Sequence, residues 1–499
     1  MILPSILSRF CANLVANLVC MSSILLMKCL IPLFIITLFS ASAFAQNTRY
    51  VPDDFPSIQD GIDGSVNGDT LIVRDGTYFE NLHLSGKSIT LTSENGPTTT
   101  IIDGSNQWND IVTFSIGSDS TFKGFTVTNG GDYIAGARIE YCSPTIEDCV
   151  FSYSGGVVCK SFLGSTPAAP TFNSCTFSGN VNREGAGIYF QESNPTLNDC
   201  TFYNNQAPSG SYHDGHGGAI YLLWCTSSTI NRCTFINNRA KRGGAISSIS
   251  SNSVLKDCVF TENSVNSNGR GGGIYFQGGI GEIEGCTFAE NERSHSSAIA
   301  GGIYTIYADL SLKNSILWDN AGGDFVDGGQ GSVTVTYTNV GRSGTGNINT
   351  DPLFVDAPNN DFRLQSGSPC IDAGDPNSSP DPDGTVADMG ALYFEQSTPV
   401  LRVTNLIAGQ TALIEVVNAT PNNFSHFVWS IRGGGPTWTP WGDAMVTAPY
   451  HRRLLQTDAT GYAFDSSTIP ASAAGLAVWC HGTDIGTQSM LNPLMFVIQ

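Results

Sequence analysis

Three side chains suited to acid–base or metal chemistry lie within four positions of the sequence: His213, Asp214 and His216. Neutral imidazoles and ionised carboxylates bind divalent metals, and an imidazole beside a carboxylate can carry a proton. The group is too short to complete a coordination sphere, so other parts of the fold would have to add ligands. The elements around these residues therefore decide whether they form a metal site, a substrate site or a solvated loop.

The surrounding sequence is a repeat of 25 to 33 residues with the pattern apolar-x-x-Cys-x-Phe-x-x-Asn, in which the first copy has Ser154 in place of the asparagine. A second, glycine-rich segment follows in each copy, as GAGIYF, GGAIYL, GGAISS, GGGIYF and AGGIYT. Both segments are short and rich in β-branched and aromatic residues, which favours strands over helices. A fixed period of this length is typical of a solenoid. The pattern is centred on Cys149, Cys175, Cys200, Cys233, Cys258 and Cys286.

A single strand–turn–strand coil cannot bury its own inner face, so the coils must stack. Stacking predicts internal columns of apolar, cysteine and phenylalanine side chains, and a ladder in which each asparagine amide bonds to the next. We expect the cysteines to be reduced, because parallel rungs hold Cβ atoms ~4.8 Å apart whereas a disulfide needs ~3.8 Å. The predicted ladder contains Asn180, Asn205, Asn238, Asn263, Asn291 and Asn320.

The Phe-x-x-Asn and Gly-Gly-x-Ile units resemble polymorphic outer-membrane-protein repeats, and the chain resembles secreted right-handed parallel β-helix proteins of the pectin-lyase-like superfamily. Residues 51–82 are similar to the family's opening segment and residues 350–376 to its closing one. The resemblance spans residues 48–395. It implies an all-β, right-handed parallel β-helix. In the lyase branch, basic residues act beside calcium held by aspartates, and this sequence shows no such aspartate cluster on successive coils.

The two ends of the chain differ from the repeat. Residues 1–45 are predicted to be a secretory leader, with an apolar run followed by the small-x-small pattern Ala43-Phe44-Ala45; a retained membrane anchor is the alternative. Residues 46–396 form the predicted β-helix, in which Ile58, Ile62 and Val66 lie on one face of an N-terminal capping helix. No later run reaches the ~20 apolar residues of a spanning helix.

Residues 397–499 are predicted to form a small C-terminal β-sandwich, because short strand-like segments alternate with turn clusters there. Trp438 and Trp441 in PTWTPW either stack on sugar rings or cover the sandwich core.

Length variation in the repeat is concentrated at one corner. The ladder asparagine and the next Gly-Gly-x-Ile residue are 8, 15, 8, 11 and 12 residues apart, whereas the following segment is 9 or 10 residues long. Because the coils stack in register, these loops form one rim. Guanidinium groups along such a rim match the carboxylates of an acidic glycan; soluble loop tips are the alternative. The candidate binding residues are Arg183, His213, Asp214, His216, Arg242, Arg270, Arg293 and His295.

The composition narrows the possible partners. The formal net charge is −20, which argues against nucleic acid because phosphate binding needs a basic surface. Asp375, Asp381 and Asp383 near the closing segment form half of a calcium loop, so Ca²⁺ is the one candidate cofactor. The far-end glutamate of such a loop is missing, and ordinary Asp-Gly and Asp-Pro turns are the alternative.

These observations predict a secreted or cell-surface β-helix protein that binds an extracellular polysaccharide or cell-surface glycan of acidic character along one solenoid edge. A polysaccharide lyase or other carbohydrate-active enzyme is one alternative, and a structural or adhesive surface protein is another. The fold alone does not choose among them.

Overall fold

The computed structural model describes residues 46–499 except 106–108, 163, 211–213, 294, 384, 396–398, 441, 459–460, 488 and 492. The predicted leader, residues 1–45, lies outside the described residues. None of the helices in the described part of the chain has the length and apolar character needed to cross a membrane.

Each complete coil contributes one strand to each of three parallel sheets, and sheet 1 has an additional strand at each end, which makes this part of the chain a parallel β-helix. Sheet 1 contains Thr48–Val51, Thr70–Val73, Thr90–Ser93, Thr121–Lys123, Thr145–Glu147, Thr171–Asn173, Thr196–Asn198, Ser228–Asn231, Ser253–Lys256, Ile280–Glu284, Asp309–Lys313 and Val333–Thr336. Sheet 2 contains Gly76–Tyr78, Thr100–Asp103, Thr126–Thr128, Val150–Ser152, Thr176–Ser178, Thr201–Tyr203, Thr234–Ile236, Val259–Thr261, Thr287–Ala289 and Ile316–Trp318. Sheet 3 contains Leu82–His83, Val112–Phe114, Ala137–Glu140, Val157–Lys160, Ile188–Gln191, Ile220–Leu223, Ile246–Ile249, Ile274–Gln277, Ile303–Ile306 and Phe325–Asp327.

The predicted internal columns are confirmed. Equivalent residues pair across coils, so that Phe202 lies opposite Phe235 and Leu197 opposite Ile230. The phenylalanine rings are buried and stack with centroids 4.4–5.4 Å apart. All eleven cysteines of the described region are free and buried. They pack as small apolar side chains.

The asparagine ladder is also confirmed, and its amides are fully buried. Asn238 Nδ2 donates to Asn263 Oδ1 at 2.9 Å and to the carbonyl oxygen of Phe202 at 2.9 Å. Its Oδ1 accepts from Asn205 Nδ2 at 2.9 Å and from the Asn205 backbone N–H at 3.1 Å. Each amide therefore joins three consecutive coils through polar contacts inside an apolar core.

The predicted capping helix is present as Ile58–Gly64, with Ser57 as its N-cap. Ile58 and Ile62 are fully buried against the first coil. The prediction is wrong for Val66, which lies beyond the helix and is 52% exposed, because the helix ends two residues earlier.

The variable loops lie side by side, as predicted. Three of them pair in a small parallel sheet made of Arg239–Arg242, Ser264–Arg270 and Glu292–Arg293. Isolated bridges extend the pairing to residues 184 and 216 on earlier coils. The largest differences in loop length thus lie along one rim, which runs beside the start of the sheet 3 strands.

The closing segment, which follows the last coil, folds back along the outside of the β-helix. It contains the antiparallel strands Phe354–Asp356 and Asp361–Leu364 and the 3-10 turn Ala357–Asn359. Asn360 contacts Thr261 Oγ1 at 3.2 Å, and the Ala391 backbone N–H donates to Thr287 Oγ1 at 3.0 Å. The segment therefore covers coils that precede it by about a hundred residues.

The C-terminal region contains two antiparallel sheets that share one apolar core, including Val416, Phe427 and Val478. This arrangement is the predicted small sandwich. Its sheets contain Val400–Thr404, Thr411–Val417 and Ala463–Thr468, and Phe424–Ser430, His451–Gln456, Ala477–Asp484, Ser489–Met490 and Leu494–Val497; a hairpin, Pro436–Thr439 with Gly442–Met445, and the 3-10 turn Ala471–Ala473 complete it.

Candidate functional site

The outward face of sheet 3 carries a column of tyrosines. The first and third residues of each strand, such as Ile188 and Phe190, point into the core, so the second residue points outward. Register pairing aligns these second residues from coil to coil, with Ser247 in place of one ring. The aligned rings are those of Tyr189, Tyr221, Tyr275 and Tyr304.

A second column lies over the tyrosines and comes from the variable loops. Parallel bridges align Glu184, His216, Arg242, Arg270 and Ile299 on five successive coils. A glycine follows most of these residues, because the chain must turn sharply into sheet 3. At Gly243, with φ +63°, an added Cβ would lie 1.9 Å from the Ile246 carbonyl oxygen. The glycine thus fixes where the preceding charged residue lies relative to the outward face of sheet 3.

We call this arrangement the cation–tyrosine strip: the four column tyrosines with Lys160, Lys241, Arg242, Arg270 and His216. Lys160 Nζ lies 4.9 Å from the Tyr189 ring centre, and the Arg242 and Arg270 guanidinium carbons lie 5.3 and 5.0 Å from the rings of the following coil. These are cation–π distances. The column tyrosines are nearly covered as a result.

Asp214 is the anion of the strip. Its Oδ1 lies 2.8 Å from Lys241 Nζ, and its Oδ2 accepts from Arg242 Nη2 at 2.8 Å and Nε at 3.0 Å. The Lys241 ammonium and the Arg242 guanidinium lower the pKa of this carboxyl to about 2. One carboxylate thus pairs with two cations, and one positive charge is left over.

His216 is a packed, neutral imidazole. Its ring stacks on Tyr221 with centroids 4.9 Å apart, and its Nδ1 lies 3.1 Å from Ser247 Oγ. Burial, helped by the Arg242 charge, lowers its pKa to about 4. It contributes ring surface at neutral pH, and the strip's charge comes from lysine and arginine.

An open cleft of about 420 Å³ lies at the N-terminal end of the strip. Arg183 enters here with its guanidinium carbon 5.1 Å from the Tyr133 ring centre. Tyr189, Lys160 and Arg138 also line the cleft, and Arg138 is paired with Asp110. Arg183 therefore belongs to the neighbouring cleft rather than to the aligned column.

The structure brings together only some of the predicted residues. Asp214, His216, Arg242 and Arg270 converge in the strip. His213 lies outside the described residues. Arg293 pairs through its backbone with Val265, and His295 is exposed with its Nδ1 2.8 Å from Ser297 Oγ in its own loop.

Sequence reasoning missed Lys160 and the whole tyrosine column. The signal was present in the Ile-Tyr-Phe and Ile-Tyr-Leu segments, where a polar ring stands at the one outward position of the strand. Three consecutive bulky residues obscured the alternation. Among the described residues, no group of three or more His, Cys, Asp or Glu side chains is placed to hold a metal ion.

The three aspartates predicted to bind calcium accept hydrogen bonds from nearby residues of the same segment. Asp375 Oδ1 accepts from the Asn377 backbone N–H at 3.0 Å, and Asp383 Oδ1 accepts from Thr385 Oγ1 at 2.7 Å. Asp381 Oδ2 accepts from the Asp388 backbone N–H at 2.8 Å. Calcium binding at this segment stays a prediction.

The closing segment forms a second cleft, of about 820 Å³, against the outside of the β-helix. Asp257 of the coils and Asp381 of the segment both line it, although 124 positions separate them in the sequence. Burial, together with neighbouring carboxylates, raises the pKa of both groups.

Asp388 makes the stability of this segment depend on pH. Burial raises its pKa from 3.8 to about 6, so the folded state binds this proton more tightly than the unfolded state. Protonated Asp388 therefore contributes to the free energy of unfolding in full below pH 4. This contribution, at most about 2–3 kcal/mol, is lost as the pH rises through 6. We expect the melting temperature to fall from pH 4.5 to 7.5 more steeply in the wild type than in Asp388→Asn. Asp375→Asn is the control, because the Asn377 backbone N–H lowers the pKa of Asp375 and its carboxyl stays ionised over this whole pH range. Equal slopes in wild type and Asp388→Asn would contradict the assignment.

Trp438 does not cover the sandwich core, because its side chain is 78% exposed on the hairpin. Trp441 lies outside the described residues.

Comparison with known proteins agrees with the coil architecture. A family model described as a right-handed β-helix region matches residues 186–351. The match and the three parallel sheets support a pectin-lyase-like fold, and the outer-membrane-protein type of repeat stays a prediction. A search of curated protein sequences finds no match.

Two solved structures show limited similarity. A pectin methylesterase variant in complex with a hexasaccharide is 12% identical, with 61% of this chain and 93% of that chain covered and a TM-score of 0.25. The receptor-binding protein of bacteriophage Det7, a podoviral tailspike in a myovirus, is 12% identical, with 91% and 98% covered and a TM-score of 0.20.

Proposed function

We propose that this right-handed parallel β-helix protein is secreted or held at the cell surface and binds acidic polysaccharide along the cation–tyrosine strip. The observation that carries the proposal is the placement of Arg242 and Arg270 one coil apart, each over a tyrosine ring. Stacked coils repeat at ~4.8 Å, so the strip offers fixed charges at regular steps to a polymer with regular carboxylates.

Charge on the strip supports this proposal. Lys160 and Arg270 of the strip, and Arg183 and Arg239 beside it, form none of the ion pairs found within 4.0 Å among the described residues. They lie on a chain of net charge −20, so the strip is a local positive region on an acidic surface. Such a region attracts anionic polymers.

The chemistry of the strip favours binding over turnover. Asp214 and His216 titrate near 2 and 4, far from the pKa near neutrality that suits a general acid or base. Burial raises the pKa of the column tyrosines Tyr189, Tyr221 and Tyr275. Guanidinium, hydroxyl and ring groups remain, and these recognise carboxylates and sugars without changing them.

Retention on polygalacturonate tests the proposal. We expect the protein to be retarded in a native gel containing polygalacturonate, and the retardation to weaken as salt rises. Fully methyl-esterified polygalacturonate has the same backbone without the charge, so it is the matched control and should cause no retardation. Equal retardation by both polymers would remove the proposal, and release of an ultraviolet-absorbing unsaturated product would indicate a lyase instead.

A further inference from the structure

On three coils, the corner that follows the sheet 3 strand carries a bulky aromatic residue in an unfavourable backbone conformation. Tyr141, Trp224 and Tyr307 have φ values of 56°, 56° and 57°. The left-handed region suits glycine, asparagine and aspartate, and a bulky residue there costs roughly 1 kcal/mol or more. The corner between sheets 1 and 2 mostly follows this preference, with Asp148, Ser174, Asp199, Arg232, Asp257, Gly285 and Asn314.

Burial of these rings is only partial. Trp224 is 52% exposed and Tyr307 is 54% exposed. Strained residues are a feature of binding and catalytic sites, and half-exposed indole and phenol rings offer flat apolar surface to a ligand.

The aromatic corner and the cation–tyrosine strip occupy the same coils. The coil of His216 ends in Trp224, the coil of Arg242 ends in Ser250, and the coil of Arg270 ends in Gly278. Tyr307 closes the next coil. Two small residues thus lie between two aromatic ones, over three coil steps of ~4.8 Å, or about 14 Å. We call Trp224, Ser250, Gly278 and Tyr307 the corner trough.

Hydrogen bonds link the strip to the corner trough across the face of sheet 3. Arg242 Nη1 donates to the Tyr275 hydroxyl at 2.9 Å, and that hydroxyl donates to Gln277 Oε1 at 2.7 Å. Gln277 is the last residue of its strand, directly before Gly278. A continuous polar surface therefore connects the guanidinium group to the floor of the trough.

We infer that the corner trough is a second contact line for the same glycan, and that Trp224 and Tyr307 stack on its pyranose rings. The ligand class is then an oligosaccharide with carboxylates on one edge, facing the cations, and open ring faces toward the corner. This inference rests on the proposed function, because the strip supplies the charge that selects the glycan.

Asparagine substitutions test the trough without disturbing the backbone, since asparagine tolerates the left-handed conformation. Trp224→Asn and Tyr307→Asn should each weaken binding of polygalacturonate oligosaccharides about three- to tenfold, measured by calorimetric titration. Tyr153→Asn is the matched control, because Tyr153 is 69% exposed with φ 49° at the corner after sheet 2. Its affinity should equal that of the wild type.

Oligosaccharide length adds a second readout. The effect of Tyr307→Asn should appear only above the length at which one oligosaccharide reaches both Trp224 and Tyr307, within a series from disaccharide to octasaccharide. Wild-type affinity in both aromatic variants, together with loss of binding in Arg242→Ala/Arg270→Ala, would overturn the trough and leave the proposed function standing. Absence of binding by the wild type would overturn both.

Discussion

Replacing Asn238 with alanine lowers the free energy of unfolding by about 3–5 kcal/mol, because the substitution strands several buried polar groups at once. The Asn205 backbone N–H and the Phe202 carbonyl lose a partner, and so does one amide hydrogen of Asn205. Water cannot replace these contacts, since Asn238 and its ladder neighbours Asn205 and Asn263 are fully buried. A cavity of a few heavy atoms adds to the cost.

Asn231→Ala is the matched control for this prediction. Asn231 also belongs to an asparagine column, and its Nδ2 donates to Asn198 Oδ1 at 3.0 Å. This column lies on the half-exposed outer face of sheet 1. Solvent can take over its contacts, so we expect a loss below about 1 kcal/mol. Chemical denaturation of both variants measures the difference. A loss of equal size in the two variants would show that burial of the inner ladder does not stabilise the coils.

The double variant Arg242→Ala/Arg270→Ala should bind polygalacturonate about a hundredfold more weakly than the wild type. Each guanidinium supplies a charge-assisted contact, and ~1.4 kcal/mol per arginine corresponds to about tenfold in affinity. Folding should persist, because Asp214 keeps Lys241 as a partner at 2.8 Å. The melting temperature of the double variant checks this.

A substitution that is expected to strengthen binding tests the same site. Asp214→Asn removes the carboxylate that occupies Lys241 and Arg242, so it should strengthen binding. Arg232→Ala is the control for a lost positive charge, since Arg232 pairs with Asp199 on another face of the solenoid. If Arg232→Ala weakened binding as much as the strip variant, net charge rather than the strip would account for affinity.

The solenoid could be predicted from the sequence because its core is periodic. Phe235 and Asn238 recur with every coil, and only stacking in register gives a column of such residues both an apolar neighbour and an amide partner. Loop lengths then located the rim without any coordinates, because the segments of constant length had to be the strands and their fixed turns.

The contacts within the site could not be predicted, because they join different coils. Arg242 lies over Tyr275, which belongs to the next coil, and Lys241 reaches back to Asp214. Sequence spacing cannot specify such side-chain directions. The cleft between Asp257 and Asp381 was missed for a related reason, since the closing segment has no repeat to show which coils it covers.

Affinity for polygalacturonate in wild type, Arg242→Ala/Arg270→Ala and Arg232→Ala, titrated side by side at one salt concentration, tests the binding strip most directly. The structure predicts a loss of about a hundredfold confined to the double variant. Equal affinities in all three proteins would contradict the strip as the glycan site.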